Sequence, residues 1–190
     1  SLEAAGHRVI DIAATELTPI RRASARAFER IIAANLAMLV ASGLDASLTE
    51  PLTQAFIERG QSMSASELWS ATEGAAGAAY KLWSLFDRVD VLLTPMLSGP
   101  PPPLGAFPTD HRDTATQIER MDTFAPFAAL ANVTGAPALT LPFGADDTGL
   151  PLPVQLIAPP GGDLRLLALG AVLEAEDRWH HPIPLFGGAA

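Results

Sequence analysis

A serine, a histidine and two aspartates lie close together in the middle of the chain. Ser98 precedes His111, and Asp110 and Asp113 flank that histidine. A serine hydrolase uses these residue types as nucleophile, base and orienting acid, but it needs a spatial geometry that nearness in sequence does not provide. The chain also contains no Gly-x-Ser-x-Gly segment, the turn that presents the nucleophile in α/β-hydrolases. We therefore expect no self-contained Ser-His-Asp triad.

Two further patterns raise the question of a metal site or a phosphate site, and neither is supported. His180 and His181 are adjacent, so their side chains point in different directions, and no third histidine accompanies them. We expect them to be surface residues just past the last helix. Residues 74–81 end in Lys81 but lack the spacing of a P-loop and its Ser or Thr after the lysine. Phosphate binding is rejected.

The composition of the chain excludes several classes of partner. The net charge is −9, and Lys81 is the only lysine, so we expect no nucleic acid and no anionic membrane surface as a partner. The longest apolar stretch, residues 31–40, is far shorter than the roughly 20 residues of a membrane helix. Cysteine is absent, which fits a reducing compartment. These features predict a soluble, cytoplasmic protein.

The elements that must position any site are predicted from turn signals and apolar periodicity. Helices are expected over 18–42, 49–60, 64–86, 113–131 (interrupted near Pro126) and 163–177. Ser64 and Glu67 match a capping box at the start of the third of these helices. Strands are expected over 7–12, 91–94, 137–142 and 152–158. The Pro-rich segment 94–108 predicts a stiff ordered loop, with a PxxP ligand for a recognition module as the alternative.

Two helices have a predicted buried face. The first helix is expected to bury a stripe that runs from its first turn to its last, formed by Ile20, Ala23, Ala27, Ile31, Ala34 and Met38. The last helix is expected to bury Leu164, Leu167, Ala168, Ala171 and Val172. The strands are apolar throughout, which is typical of strands buried on both faces. The predicted fold class is α/β: a section of a mixed, mostly buried β-sheet, with mostly parallel pairing possible, covered by helices.

Three segments together resemble a known family. They are Asp87–Pro95, with its Thr-Pro end, Asn132–Gly144, with its Asn-x-Thr-Gly turn, and Gly149–Pro159. In this order and with these gaps they are similar to the C-terminal portion of amidase signature enzymes, an α/β/α family that hydrolyses carboxylic amides with a serine nucleophile. The resemblance is strongest from Phe86 to Trp179. It implies that residues 1–190 form the C-terminal part of a single amidase-like domain, with the N-terminal catalytic part outside the chain.

The resemblance also implies that the catalytic residues of the family are absent from this chain. Amidase signature enzymes use a Ser–cis-Ser–Lys triad and a Gly/Ser-rich loop that holds the oxyanion. No Gly-Gly-Ser-Ser-Gly-like segment occurs here, and Lys81 lies where the family has no catalytic lysine. No catalytic residue can therefore be assigned, and the chain alone is expected to be inactive. The complete enzyme is expected to form an acyl-enzyme and to need no metal or organic cofactor.

The resemblance places one wall of the substrate pocket on the helix before the Asn-x-Thr-Gly turn, at Phe124, Ala125, Phe127 and Ala128. For the two phenylalanines, plain core packing is an equally good interpretation. Glutamine-specific amidotransferase subunits place an acidic residue about where Ala125 stands, and an arginine where small residues such as Ala75 occur here. An uncharged pocket leaves the charged ends of an amino acid without partners, so a neutral, apolar or aromatic acyl group is expected.

The expected partners follow from this resemblance. They are the N-terminal catalytic part of the same enzyme and a small-molecule amide substrate. Exposed edges of buried strands favour self-association, so a homo-oligomer is possible. The alternative function is a non-catalytic binding or assembly module derived from the amidase fold, and a glutamine amidotransferase subunit is a third, disfavoured class.

Overall fold

The computed structural model of the protein describes residues 1–178. The helices in this range are α1 (Ala14–Ala41), α2 (Pro51–Gln61), α3 (Ala65–Leu85), α4 (Thr114–Phe124), α5 (Ala128–Thr134) and α6 (Asp163–Glu174). The strands are β1 (Leu92–Pro95), β2 (Ala138–Ala145) and β3 (Pro151–Ile157), and a 3-10 turn spans Ala46–Leu48. Crossing a membrane requires a helix that is both long and strongly apolar, and residues 1–178 contain no helix that meets both conditions.

The three strands form one sheet in the order β1-β3-β2, with β3 in the centre. Both pairs are antiparallel, and Ile157 of β3 lies opposite Leu92 of β1 and Ala138 of β2. The predicted α/β class is confirmed. The mostly parallel pairing that the apolar strands suggested does not occur among the described strands, because the short loop after β2 returns the chain directly as its antiparallel neighbour.

Helices cover both faces of this sheet. On one face, Ile157 belongs to a buried cluster with Ile20 of α1, Leu82 of α3 and Leu130 of α5. On the other face, Leu156 packs in a second cluster with Leu141 of β2, with Leu166 and Leu173 of α6, and with Ala158, which directly follows β3. Successive side chains of a strand point to opposite faces, so neighbouring residues of β3 supply both cores. The layers therefore run helix, sheet, helix.

The predicted capping box begins α3 as expected. The Ser64 backbone N–H donates to Glu67 Oε2 at 2.8 Å, and the Glu67 N–H donates to Ser64 Oγ at 3.3 Å. The predicted interruption near Pro126 is also confirmed, because α4 ends at Phe124 and α5 begins at Ala128. The carboxylate of Asp113 caps α4 by accepting from the Thr116 N–H at 3.0 Å.

The first helix begins earlier than predicted. It starts at Ala14 rather than Thr18, and Pro19 lies inside it. Leu17 packs against the first core cluster, and the Arg88 guanidinium pairs with Glu16 of the added turn, so tertiary contacts stabilise a start that lacks a side-chain cap. The predicted stripe is only partly correct, since Ile20 and Ala27 are buried whereas Met38 is 67% exposed.

The predicted buried face of α6 is wrong. Leu164 and Leu167 are 79% and 60% exposed, and the helix buries Leu166, Gly170 and Leu173 instead. A Cβ on Gly170 would collide with the side chain of Leu139 in β2, so this glycine lets helix and sheet approach closely. When a helix is apolar on nearly all sides, the spacing of its apolar residues does not indicate which side is buried. Contact with the sheet then determines the buried face.

The strand predicted over residues 7–12 does not form within the described residues, which show no ladder there. Val9 and Ile10 are 49% and 39% exposed. A strand needs a hydrogen-bonding neighbour, and β1, the nearest strand edge, is separated from this segment by an open groove.

Candidate functional site

The break between α4 and α5 creates the local geometry of the candidate site. Ala125 follows the last residue of α4 with φ −125° and ψ 70°, which is not helical, and its N–H still donates to the Met121 carbonyl at 2.8 Å. Pro126 disfavours the helical conformation for the residue before it and has no N–H to continue the helix. The Ala128 N–H donates to the Ala125 carbonyl at 3.1 Å as the chain enters α5. The break turns Phe124 and Ala125 toward a cavity.

That cavity has a volume of about 220 Å³ and lies between α1, α4, α5 and the Pro-rich loop. Its lining residues are mostly apolar: Ala25, Phe28, Phe107, Ile118, Met121, Asp122, Phe124, Ala125, Ala128, Ala129 and Asn132. Three of the four residues predicted for the pocket, Phe124, Ala125 and Ala128, are brought together here. The fourth, Phe127, lies outside the lining set and packs against the first core cluster.

Four large apolar lining residues were not predicted. Phe28 comes from α1, Ile118 and Met121 from α4, and Phe107 from the Pro-rich loop. The positions 118 and 121 lie three residues apart and share a helix face with Phe124 or Ala125, which is a signal that sequence periodicity offers. Phe28 carries no such signal, because only tertiary packing brings α1 to this place.

Backbone hydrogen bonds hold the Pro-rich loop at both ends, to the end of α4 and to α2. The Ser98 N–H donates to the Phe124 carbonyl at 2.8 Å, and the Leu52 N–H of α2 donates to the Thr109 carbonyl at 3.1 Å. Between these points Phe107 places its ring 5.4 Å from that of Phe124, centroid to centroid, at an interplanar angle of 58°. Tilted aromatic pairs at this separation attract each other beyond simple area burial. The loop therefore supplies one aromatic wall.

One charged group borders the cavity, and it already has a partner. Asp122 Oδ2 accepts from Arg21 Nη1 at 2.6 Å, and the two side chains are 29% and 21% exposed. This ion pair joins α4 to α1 beside the cavity. Because Asp122 is already paired with Arg21, Asn132 is the remaining polar side chain in the lining. The cavity therefore offers apolar surface and no free charge.

A second, larger depression of about 750 Å³ lies elsewhere, between residues 7–12, β1 and α6. It runs along the edge of β1 that faces away from β3, and this edge pairs with no other strand in residues 1–178. Leu93 on that strand is 46% exposed. The groove is the larger of the two, but it borders an open sheet edge, whereas the smaller cavity contains three of the four residues predicted for the pocket, so we place the candidate site at the smaller cavity.

The nominal Ser-His-Asp set is not assembled within the described part of the chain. His111 Nδ1 accepts from the Asp113 backbone N–H at 3.1 Å, whereas a triad histidine donates from this nitrogen to a carboxylate. No hydrogen bond joins Ser98 Oγ to His111 among the described residues. Residues 1–178 also contain no group of three metal-binding side chains. His180 and His181 lie outside the described residues.

Lys81 is exposed on α3. Within the described residues it lines neither the cavity nor the groove. Nothing in its surroundings therefore assigns it a role at the candidate site.

Solved structures share this fold over nearly the whole chain. The structure of 6-aminohexanoate cyclic dimer hydrolase superimposes with a TM-score of 0.79 at 22% identity, and it covers 94% of this chain and 39% of that one. An allophanate hydrolase of Kluyveromyces lactis superimposes with a TM-score of 0.71 at 19% identity, over 92% of this chain and 27% of that one. At these identities the likeness concerns the fold alone.

Curated relatives show similarity at the level of sequence. AmiB2 of Mycobacterium tuberculosis, whose name assigns it to the amidases, is 35% identical over 104 residues, which are 55% of this chain and 22% of AmiB2. AmiA2 of the same organism is 33% identical over 129 residues, 65% of this chain and 25% of AmiA2. The chain thus spans about a quarter of the length of these relatives. A family model described as Amidase matches residues 1–167. The chain therefore belongs to the amidase family.

Proposed function

We propose that this chain is the acyl-pocket portion of a serine-dependent amidase. In this proposal the complete enzyme cleaves the C–N bond of a carboxylic amide, forms an acyl ester on a serine, and hydrolyses that ester with water. The observation that carries the proposal is the apolar cavity at the α4–α5 break, lined by Phe107, Phe124, Ala125 and Ala128 in a chain of the amidase family.

The lining of the cavity favours a neutral apolar or aromatic acyl group. Burying a phenyl-sized group in such a site stabilises the complex by about 1.5–3 kcal/mol. A charged ammonium or carboxylate of an amino acid would lose water there, and the Asp122 carboxylate is already paired with Arg21. The cost of an unpaired buried charge is larger than the gain from apolar contact, so uncharged acyl groups are preferred.

The catalytic serines and lysine are proposed to come from another segment of the complete enzyme. The sequence has no Gly/Ser-rich segment of the required kind, and the relatives extend well beyond the part that this chain matches. One edge of β1 has no partner strand within residues 1–178, and this edge and the groove beside it offer a place where a further strand of such a segment would complete the sheet. In this arrangement the chain provides scaffold and one pocket wall.

The test compares this chain with the longer polypeptide that carries the proposed catalytic segment. Ammonia release is measured with phenylacetamide as the aromatic substrate and glutamine as the charged one. We expect release from phenylacetamide by the longer polypeptide only, together with a hydroxamate when hydroxylamine intercepts the acyl ester. Hydrolysis by this chain alone would overturn the division of roles. Preference for glutamine would overturn the acyl class.

A further inference from the structure

The amide of Asn132 is the polar side chain of the apolar cavity that has no partner within residues 1–178. The other polar residue of the lining, Asp122, accepts from Arg21 Nη1 at 2.6 Å. The side chain of Asn132 forms no hydrogen bond with another described residue. An asparagine amide has two N–H donors and a carbonyl acceptor. A ligand in this cavity therefore meets an uncharged group that is free to donate and to accept.

The geometry of α5 directs Asn132 toward the cavity. At 100° per residue, positions 128, 129 and 132 share one face of a helix, and all three residues line the cavity. Leu130 and Ala131 lie on the opposite side and are 0% and 8% exposed. Both belong to the first core cluster, which holds α5 against the rest of the molecule. The cavity face of α5 therefore has a fixed orientation.

The C-terminal end of α5 fixes the backbone beside Asn132. The Gly135 N–H donates to the Ala131 carbonyl at 3.1 Å, and Gly135 adopts the left-handed conformation with φ 67°. The Thr134 hydroxyl donates to the Leu130 carbonyl at 2.7 Å. These bonds satisfy carbonyls that the end of a helix leaves without partners. The amide of Asn132 is thus carried on a backbone that is held on both sides.

Asn132 lies where the cavity opens to solvent, because it is exposed and also belongs to the lining. The aromatic walls Phe28, Phe107 and Phe124 are half-buried. Sites for small molecules commonly combine an apolar lining with a few polar groups that fix the orientation of the ligand. Here the walls suit an aromatic ring, and Asn132 suits one polar substituent on that ring.

We propose that Asn132 selects, among aromatic acyl groups, those that carry a neutral hydrogen-bonding substituent such as a phenolic hydroxyl. This inference rests on the proposed function, which places the acyl group in this cavity. A phenol donates to the amide oxygen of Asn132 or accepts from its nitrogen, and it stays neutral near pH 7 because the pKa of a phenol is about 10. A carboxylate or ammonium substituent gains less, since Asn132 has no charge to compensate for its lost water.

The test measures kcat/KM of the longer polypeptide for phenylacetamide and for its ortho-, meta- and para-hydroxy derivatives. Because the Asn132 backbone is held in place, the amide should reach a hydroxyl at one ring position better than at the others. We expect the wild type to prefer that derivative over phenylacetamide by about 3- to 10-fold. The preference should appear in KM, because the hydrogen bond forms in the bound substrate as well as in the transition state.

Asn132→Leu removes the hydrogen-bonding atoms and keeps a side chain of similar size. The ratio of kcat/KM for the favoured hydroxy derivative to kcat/KM for phenylacetamide should fall by about 3- to 10-fold. Asn132→Ala removes the amide without adding apolar bulk and should give the same fall. The ratio compares two substrates on one variant, so a partial loss of folded enzyme cancels.

Asn35→Leu is the matched control. Asn35 is the other asparagine of the chain, and it is exposed on α1 and lines neither the cavity nor the groove. This variant should have the wild-type ratio.

The outcomes separate this inference from the proposed function. If the longer polypeptide hydrolyses none of these amides, the proposed function fails and the inference fails with it. If it hydrolyses phenylacetamide but prefers no hydroxy derivative, the inference alone is overturned. The same holds if Asn132→Leu and Asn132→Ala lower kcat/KM for all substrates equally, because Asn132 then contributes to structure and not to the choice of acyl group.

Discussion

The ring of Phe107 lies 5.4 Å from the ring of Phe124, centroid to centroid, and the two planes are tilted by 58°. This pair joins a loop that carries four consecutive prolines to the end of α4. Ser98 strengthens the junction by donating its N–H to the Phe124 carbonyl at 2.8 Å. The loop is therefore held against the cavity, and its composition affects the size of the space available to a ligand.

Replacing Phe107 with alanine is expected to enlarge the cavity and weaken binding of aromatic acyl groups. In the complete enzyme Phe107→Ala should raise KM for an aromatic amide by about 10-fold, because burial worth roughly 1–2 kcal/mol is lost. The value of kcat should change little. Leu104→Ala in the same loop is the control, since Leu104 is fully exposed. If Phe107→Ala and Leu104→Ala have the same KM and kcat, Phe107 does not contribute to binding of the acyl group.

A methyl group at Gly60 is expected to destabilise the packing of α1 on α2. A Cβ there would collide with the carbonyl of Ala33 and the side chain of Ala37, and backbone atoms cannot swing away as a flexible side chain can. Gly60→Ala should therefore lower the free energy of unfolding by about 2 kcal/mol or more. Urea denaturation measures the change.

The matched control for this change is Gly74→Ala on α3. A Cβ at Gly74 meets no atom within 4 Å, so the substitution gains helix propensity without a clash. It should raise the free energy of unfolding by about 0.5–1 kcal/mol. If Gly60→Ala, like this control, does not lower the free energy of unfolding, then α1 and α2 do not approach each other as closely as described.

The capping box of α3 is expected to make stability depend on pH. Hydrogen bonds from the side chain and then the backbone of Ser64 hold the pKa of the Glu67 carboxyl below its ordinary value. Because the folded pKa is the lower one, this contribution is fully present above the unfolded pKa and is lost as pH falls through the folded pKa.

Glu67→Gln tests this dependence, since glutamine keeps the reciprocal hydrogen bond but does not titrate. The wild type should be the more stable of the two near neutral pH, and the difference should shrink as the pH falls below the unfolded pKa of glutamate, about 4.3. Glu119→Gln is the matched control for loss of one carboxylate. A difference between wild type and Glu67→Gln that stays constant from neutral to acid pH would contradict the assignment.

Sequence reasoning succeeded where structure is local. The Ser64–Glu67 cap and the break near Pro126 depend on residues within one helical turn, and the structure confirms both. Sequence reasoning failed where contacts between distant parts of the chain determine which residues are buried. The buried face of α6 is chosen by the approach of Gly170 to Leu139, which an apolar helix does not reveal in its own sequence.

The same contrast between local features and long-range contacts applies to the candidate site. Ala125 and Phe124 were placed in a pocket through the family resemblance, and both line the cavity at the helix break. Phe127, three residues beyond Phe124, packs against the core because the break rotates the start of α5 relative to α4. Phe28 and Phe107 reach the cavity from other elements, so no local pattern in the sequence indicates them.

The most direct test of the acyl-pocket proposal is the kcat/KM of the complete enzyme for an uncharged aromatic amide after Ala125→Asp. The new carboxylate would border an apolar cavity in which Arg21 already pairs with Asp122. We predict a loss of at least about 10-fold, because an unpaired charge there costs several kcal/mol unless it is neutralised. Thr123→Asp adds the same charge at an exposed position outside the cavity, and it should leave kcat/KM unchanged. Equal values for the wild type and Ala125→Asp would contradict the placement of the acyl group in this cavity.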